Sequence, residues 1–160
     1  YRLNHEISFH PIALGDREGT VSIGFPERHT GGSGVSLHQN SCAQLHDKVE
    51  LQQITVKRLD DIIDTNVDLM KIDCEGSELE ILRGAERILK NHNIRIVLEW
   101  APGFHSPPLS GGEMYDQVVT ANNFIARRLT PNQQLEPFNR DDAIQTAHCD
   151  ILLLRQNKAA

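Results

Sequence analysis

Two near-continuous apolar runs organise the middle of the chain. Val67 to Asp73 and Ile94 to Trp100 each read as a strand, the second of the kind found where both faces of a sheet are covered. Between them, Ser77 with Glu80 three residues later is the signature of a capped helix start. Ile81, Leu82, Ala85, Ile88 and Leu89 then share one helical face, and Asn91-His92-Asn93 ends the helix. A strand, a helix and a strand of these lengths predict a parallel crossover unit of right-handed sense. Before this unit, Ile7 to Leu14 and Thr20 to Phe25 read as strands about a turn at Arg17-Glu18-Gly19. Thr30 to Gly34 is a Gly/Ser-rich loop, Leu51 to Val56 a further strand, and Leu59, Ile62 and Ile63 mark a short helix. After it, Gly112 to Asn122 is expected to be helical, with Met114, Tyr115, Val118 and Val119 inward. Phe124 to Leu129 and Cys149 to Leu154 are the last strands. The polar stretch between them carries no clear helix, which favours an antiparallel pair closing the sheet edge. The expected fold is α/β: one domain over residues 1–160, with a mostly parallel sheet ending in an antiparallel strand pair.

Composition narrows the partners more than the fold. The chain has 160 residues and a net charge of −6, without a dense Lys/Arg run, so a nucleic-acid groove has little electrostatic support. Its longest apolar runs, such as Ile151 to Leu154, are far too short to span a bilayer. Three widely spaced cysteines, Cys42, Cys74 and Cys149, form neither a zinc pattern nor a disulfide framework and fit a reducing cytoplasm. His5 with His10, and His38 with His46, sit in no recognised ligand spacing and read as surface or structural histidines. The opening Tyr1-Arg2-Leu3 reads as the middle of a protein, with the native start expected upstream.

In open parallel sheets, ligands bind beyond the carboxyl ends of the strands. That rule selects Ala13, Leu14, Gly15 and Asp16 after the first strand, Asp73, Cys74, Glu75 and Gly76 after the central one, and Glu99 and Trp100 at the end of the next. Carboxylates from neighbouring strands then converge on one rim, where they can take a proton, hold a divalent metal or bind a cationic amine. Each has a structural alternative. Glu75 can stabilise the positive end of the following helix, Asp73 can serve the turn, and Glu99 can pair with Lys71 or Arg95. Trp100 either walls the substrate pocket or packs in the core. Gly76 lets the backbone turn closely. His105, among Pro102, Gly103, Pro107 and Pro108, is either a general base on a lid loop or a solvated loop histidine. Tyr115 reads as core.

The segment from Val67 to Ala85, with its Lys71-Ile72-Asp73-Cys74-Glu75-Gly76-Ser77-Glu78 centre, closely resembles the signature block of FkbM-type methyltransferases. Ala13-Leu14-Gly15-Asp16, Leu59-Asp60-Asp61-Ile62-Ile63, Leu98-Glu99-Trp100 and Cys149-Asp150-Ile151-Leu152-Leu153 resemble the flanking blocks, in the right order along nearly the whole chain. The long block is specific; the others are weak alone. The resemblance implies a Rossmann-like class I fold, S-adenosylmethionine as methyl donor, and usually O-methylation of a hydroxyl on a sugar, lipid or secondary metabolite. It places Ala13 to Asp16 near the adenine, Asp73 to Gly76 near the methionine moiety and the transferred methyl, and Glu99 toward the acceptor; Trp100 and His105 are substrate candidates from the reading of the residues alone.

Such families also carry an acidic glycine-rich loop after their first strand and an acidic residue after the second. Neither is visible, and Gly31-Gly32-Ser33-Gly34 lacks the strand before it and the helix after it. The chain is therefore expected to be the C-terminal two-thirds of such a domain, inactive alone, or else one that has lost its donor site. As an enzyme it would use Asp73 or Glu99 to remove the acceptor's proton, directly or through a bound Mg²⁺. The alternatives are a non-catalytic binding or assembly domain, and a carboxylate-dependent hydrolase with Asp73, Glu75 and Glu99 around a metal.

Overall fold

The computed structural model describes residues 7–27, 34–35, 48–91 and 93–156. The Thr30–Gly34 loop up to residue 33, the histidines at 5, 38, 46 and 92, and Cys42 lie outside them. Nine strands are described: β1 (Ala13–Leu14), β2 (Gly19–Pro26), β3 (Gly34–Val35), β4 (Val49–Lys57), β5 (Leu69–Ile72), β6 (Arg95–Trp100), β7 (Phe124–Leu129), β8 (Leu135–Pro137) and β9 (Cys149–Arg155). The helices are α1 (Glu78–Arg83), α2 (Gly111–Tyr115), which runs on as a π-helical turn over Asp116–Thr120, and α3 (Arg140–Gln145).

The strands form two sheets of mixed direction, in the orders β1-β4-β2-β3 and β5-β6-β9-β7-β8. The expected mostly parallel sheet is corrected here. Among the described residues only β1–β4 and β5–β6 pair in parallel, because β9 inserts between β6 and β7 and runs antiparallel to both. The expected crossover from β5 through α1 to parallel β6 is present, and so is the antiparallel pairing of the last two long strands. The first strand is shorter than expected: Pro11 has no N–H to give to a ladder, and only Ala13 and Leu14 pair. The polar stretch after β7 holds β8 and α3, which apolar periodicity did not reveal. A polar device makes α3: the Asn139 side chain accepts from the N–H groups of Asp141 and Asp142, at 2.9 and 3.0 Å, while Asp142 accepts from Asn139 N–H at 2.9 Å.

One face of the five-stranded sheet builds the core. In β6 the alternation places Ile96, Leu98 and Trp100 inward, against Ile151 and Leu153 of β9 and Phe124 and Ala126 of β7. Leu79, Ile81, Leu82, Ala85, Ile88 and Leu89 cover them from the α1 side; Met114, Val118 and Val119 do so from α2 and its extension. The other face carries exposed Leu69, Arg95 and Ile125 and half-buried Val97, so β6 is not covered on both faces as its composition suggested.

The helical face from Ser77 to Leu89 does not form one helix. α1 stops at Arg83, and a separate 3-10 turn covers Ile88–Lys90. Asp60 takes the N–H groups of Arg87 and Ile88 on its two carboxylate oxygens, at 2.7 and 3.1 Å, which starts the second turn afresh. Gly84 allows the break to sit against the first sheet: a Cβ there would lie 2.0 Å from the Gly15 carbonyl oxygen. Gly84→Ala should therefore push the two sheets apart and lower stability by about 1–3 kcal/mol despite the better helix propensity of alanine. Gly103→Ala, with nothing within 4 Å of the added Cβ, is the matched control. Urea unfolding of both variants checks this, and equal midpoints would contradict the packing described.

Candidate active site

The turn after β5 is held from inside the protein. Glu75 and Gly76 both have left-handed backbones, at φ 51° and 96°. At Gly76 a side chain is also barred by space, since a Cβ would fall 2.2 Å from the Phe104 carbonyl oxygen. The expected box between Ser77 and Glu80 does not form: Ser77 makes no side-chain cap. The carboxylate of Glu78 does the work from one residue further on. It accepts the Cys74 N–H at 3.1 Å on Oε1 and the Gly76 N–H at 3.2 and 3.1 Å on its two oxygens. Glu78 is fully buried, and the Nε2 of His105 stands 3.3 Å from its Oε2. The true box lies at α2, where Ser110 and Glu113 cap each other.

An open cavity of about 840 Å³ lies between this turn and the end of β1. Ala13, Leu14, Gly15 and Asp16 line it, and so do Asp73, Cys74, Glu75 and Gly76, together with residues of β2 and of α1. The eight residues selected for the donor are thus brought to a single cavity, at the carboxyl ends of β1 and β5. Glu99, Trp100 and His105 are not part of its wall.

Glu99 reaches the rim from the side. The β5–β6 register pairs Ile72 with Leu98, so Asp73 and Glu99 follow side by side. Lys71 holds the Asp73 carboxyl below the usual range by a direct hydrogen bond and by its charge, and the charge of His148 contributes further lowering. The Glu99 Oε1 is 2.8 Å from Nε2 of His148, a residue on the approach to β9 that was not anticipated. Glu99 raises the imidazole pKa, and the charges of Asp150 and Glu75 add to this. The suggested pairing of Glu99 with Lys71 or Arg95 gives way to this histidine. Burial raises the thiol pKa of Cys149 to about 11, so it stays protonated at neutral pH.

Two readings need correction. Trp100 does not wall a pocket. It follows Ile96 and Leu98 on the inward face of β6 and is wholly buried, edge-on to Phe138 and Tyr115 at 5.3 and 6.5 Å. His105 is not a solvated loop residue facing an acceptor. The loop closes on itself through the bonds Phe104 N–H to Ala101 and Leu109 N–H to Pro102, which turns the ring inward onto Glu78. Two functional candidates were missed. Glu78 shares a helical face with Ile81, Leu82 and Ala85, so apolar periodicity could have shown a carboxylate on the buried arc. Nothing in the sequence signals His148 without knowing that β9 lies beside β6. Among the described residues, no group of three or more His, Cys, Asp or Glu is arranged to hold a metal ion, so the donor set for Mg²⁺ is not assembled there. No helix among them is long and apolar enough to cross a membrane.

The Methyltransferase FkbM domain model matches residues 2–124 of the chain. Among solved structures, the chain is similar to Methyltransferase FkbM from Methylobacillus flagellatus KT, with 19% identity and a TM-score of 0.48. That match covers 92% of this chain and 28% of the other, so the chain spans just over a quarter of the length of that relative. No curated protein matches.

The Glu99–His148 pair gives a signed pH dependence. A histidine whose folded pKa is raised adds stability in full below its unfolded value of about 6.5. That increment is lost as pH rises through the folded value. In an NMR titration, His148 should show a midpoint above about 6.5, and Glu99→Gln should bring it down. A midpoint indifferent to Glu99 would contradict the pair.

Proposed function

The chain belongs to the FkbM methyltransferase domain family, and from that premise we propose that it takes part in S-adenosylmethionine-dependent methyl transfer to a hydroxyl group on a sugar, lipid or secondary metabolite. The observation that carries this reading is the single cavity joining the ends of β1 and β5. Its volume of about 840 Å³ suits a small-molecule ligand. Its position beyond the carboxyl ends of two strands is where Rossmann-like sheets bind cofactors.

The residues present fit the donor chemically. Asp16, Asp73 and Glu75 supply negative charge along the lining for a ligand bearing a sulfonium and an ammonium group. Ile12, Leu14 and Ile23 supply apolar surface for a flat base. S-adenosylmethionine supplies an already activated methyl group, so the protein's part is alignment and proton removal. Asp73, kept ionised by Lys71, holds charge on the cavity lining. In this reading Glu99, beside it and bonded to His148, accepts the acceptor's proton, with the imidazole sharing the charge. A cytoplasmic setting belongs to the same proposal; it is supported by Cys74 and Cys149 both being free. The assembly-domain alternative has no observation in its favour.

Calorimetry with S-adenosylhomocysteine tests the reading. The chain should bind it, and Asp73→Asn should weaken binding about tenfold, the equivalent of about 1.4 kcal/mol. Glu99→Gln, outside the cavity wall, should leave the affinity within about twofold, and in the complete protein it should slow transfer at least about 100-fold. Absence of binding to the unaltered chain would contradict the proposal.

A further inference from the structure

Glu78 is chemically the least expected group in the core. A carboxylate with no exposed surface is expensive to desolvate unless all its acceptor capacity is met. Here it accepts hydrogen bonds from the N–H groups of Cys74 and Gly76, and the His105 ring nitrogen lies 3.3 Å from its Oε2 without forming a hydrogen bond. The two N–H groups belong to the turn that carries the left-handed Glu75 and Gly76, and residues 73–76 of that turn line the donor cavity. The dependence is mutual. The turn supplies the donors that make the buried charge tolerable, and the charge holds two backbone groups in a conformation that few residues adopt unaided. His105 brings in a third segment, because its loop lies directly on Gly76, whose absent side chain leaves room for the Phe104 carbonyl.

Resting on the donor reading above, we propose that Glu78 is a positioning residue for the methyl donor: it sets the 73–76 wall of the cavity by gripping the turn from beneath, and His105 packs the 102–109 loop against the same carboxylate. Neither side chain lines the cavity, so both act through the turn.

The test compares the full chain with Glu78→Gln, His105→Gln and the remote core variant Leu153→Ala. The readouts are backbone amide shifts and S-adenosylhomocysteine calorimetry, under conditions where each variant is folded. Glu78→Gln should move the Cys74 and Gly76 amide protons upfield and weaken binding about tenfold, the range of a lost charged hydrogen bond. His105→Gln should leave those two amides nearly in place, speed hydrogen exchange at Phe104 and Leu109, and weaken binding about threefold. Leu153→Ala, destabilised but distant, should bind as the unaltered chain does. If Glu78→Gln does not fold, the exchange and affinity changes of His105→Gln decide the matter. Amides and affinity unchanged in a folded Glu78→Gln, or an equal loss of affinity in Leu153→Ala, would overturn the positioning role. No binding by the unaltered chain would instead overturn the donor reading, and the amide shifts alone would then decide whether Glu78 sets the turn.

Discussion

The parallel register of β5 and β6 is the constraint on which the site depends. With Ile72 opposite Leu98, Asp73 leaves the end of β5 beside Glu99, which is still paired within the sheet to Asp150 of β9. The same alternation that buries Leu98 and Trp100 turns Glu99 away from the core. A slip of one residue would exchange these faces, putting a carboxylate into the apolar layer and tryptophan outside it. Core packing and the placement of the acidic rim are therefore one decision, made by the ladder and by the close fit of Ile96, Leu98, Ile151 and Leu153.

Around that fixed point the protein spends polar groups sparingly and in pairs. Lys71 serves Asp73, His148 serves Glu99, Asp60 restarts the broken helix, and Glu78 holds the turn. The exposed pairs are worth little in stability, since water screens them. Their consequence is electrostatic: Lys71 keeps Asp73 charged at the rim, and Glu99 raises the pKa of His148. Glu78 is the opposite case, buried and fully engaged, and its consequence is geometric.

Much of this was legible in the residues alone. The apolar runs Val67–Asp73 and Ile94–Trp100 about a helical pattern announced the crossover, and the rule for open sheets selected eight residues that line one cavity together with Glu99 and Trp100, which do not. What could not be read depended on chain order in space. The insertion of β9 between β6 and β7 changed the sheet from mostly parallel to mixed and delivered His148 to Glu99. The break after Arg83 arose from a tertiary contact, Asp60 capturing two N–H groups, against a sequence with unbroken helical periodicity. Trp100 and His105 were ambiguous because large amphipathic side chains near a rim are equally at home in a pocket wall or in the interior. Only neighbours decide between these, and here Phe138, Tyr115 and Glu78 are the neighbours that decide.

The central claim is spatial: one cavity, bounded by the ends of β1 and β5 and flanked by Glu99, receives the donor. An amide chemical-shift map recorded while S-adenosylhomocysteine is added addresses it directly. The account predicts that the largest changes fall at residues 13–16 and 73–77, with smaller ones at Glu99 and His148 and none at Leu82, Gln117 or Ala121, which line a second, smaller cavity. Changes centred on that second cavity, with residues 13–16 and 73–77 silent, would contradict it.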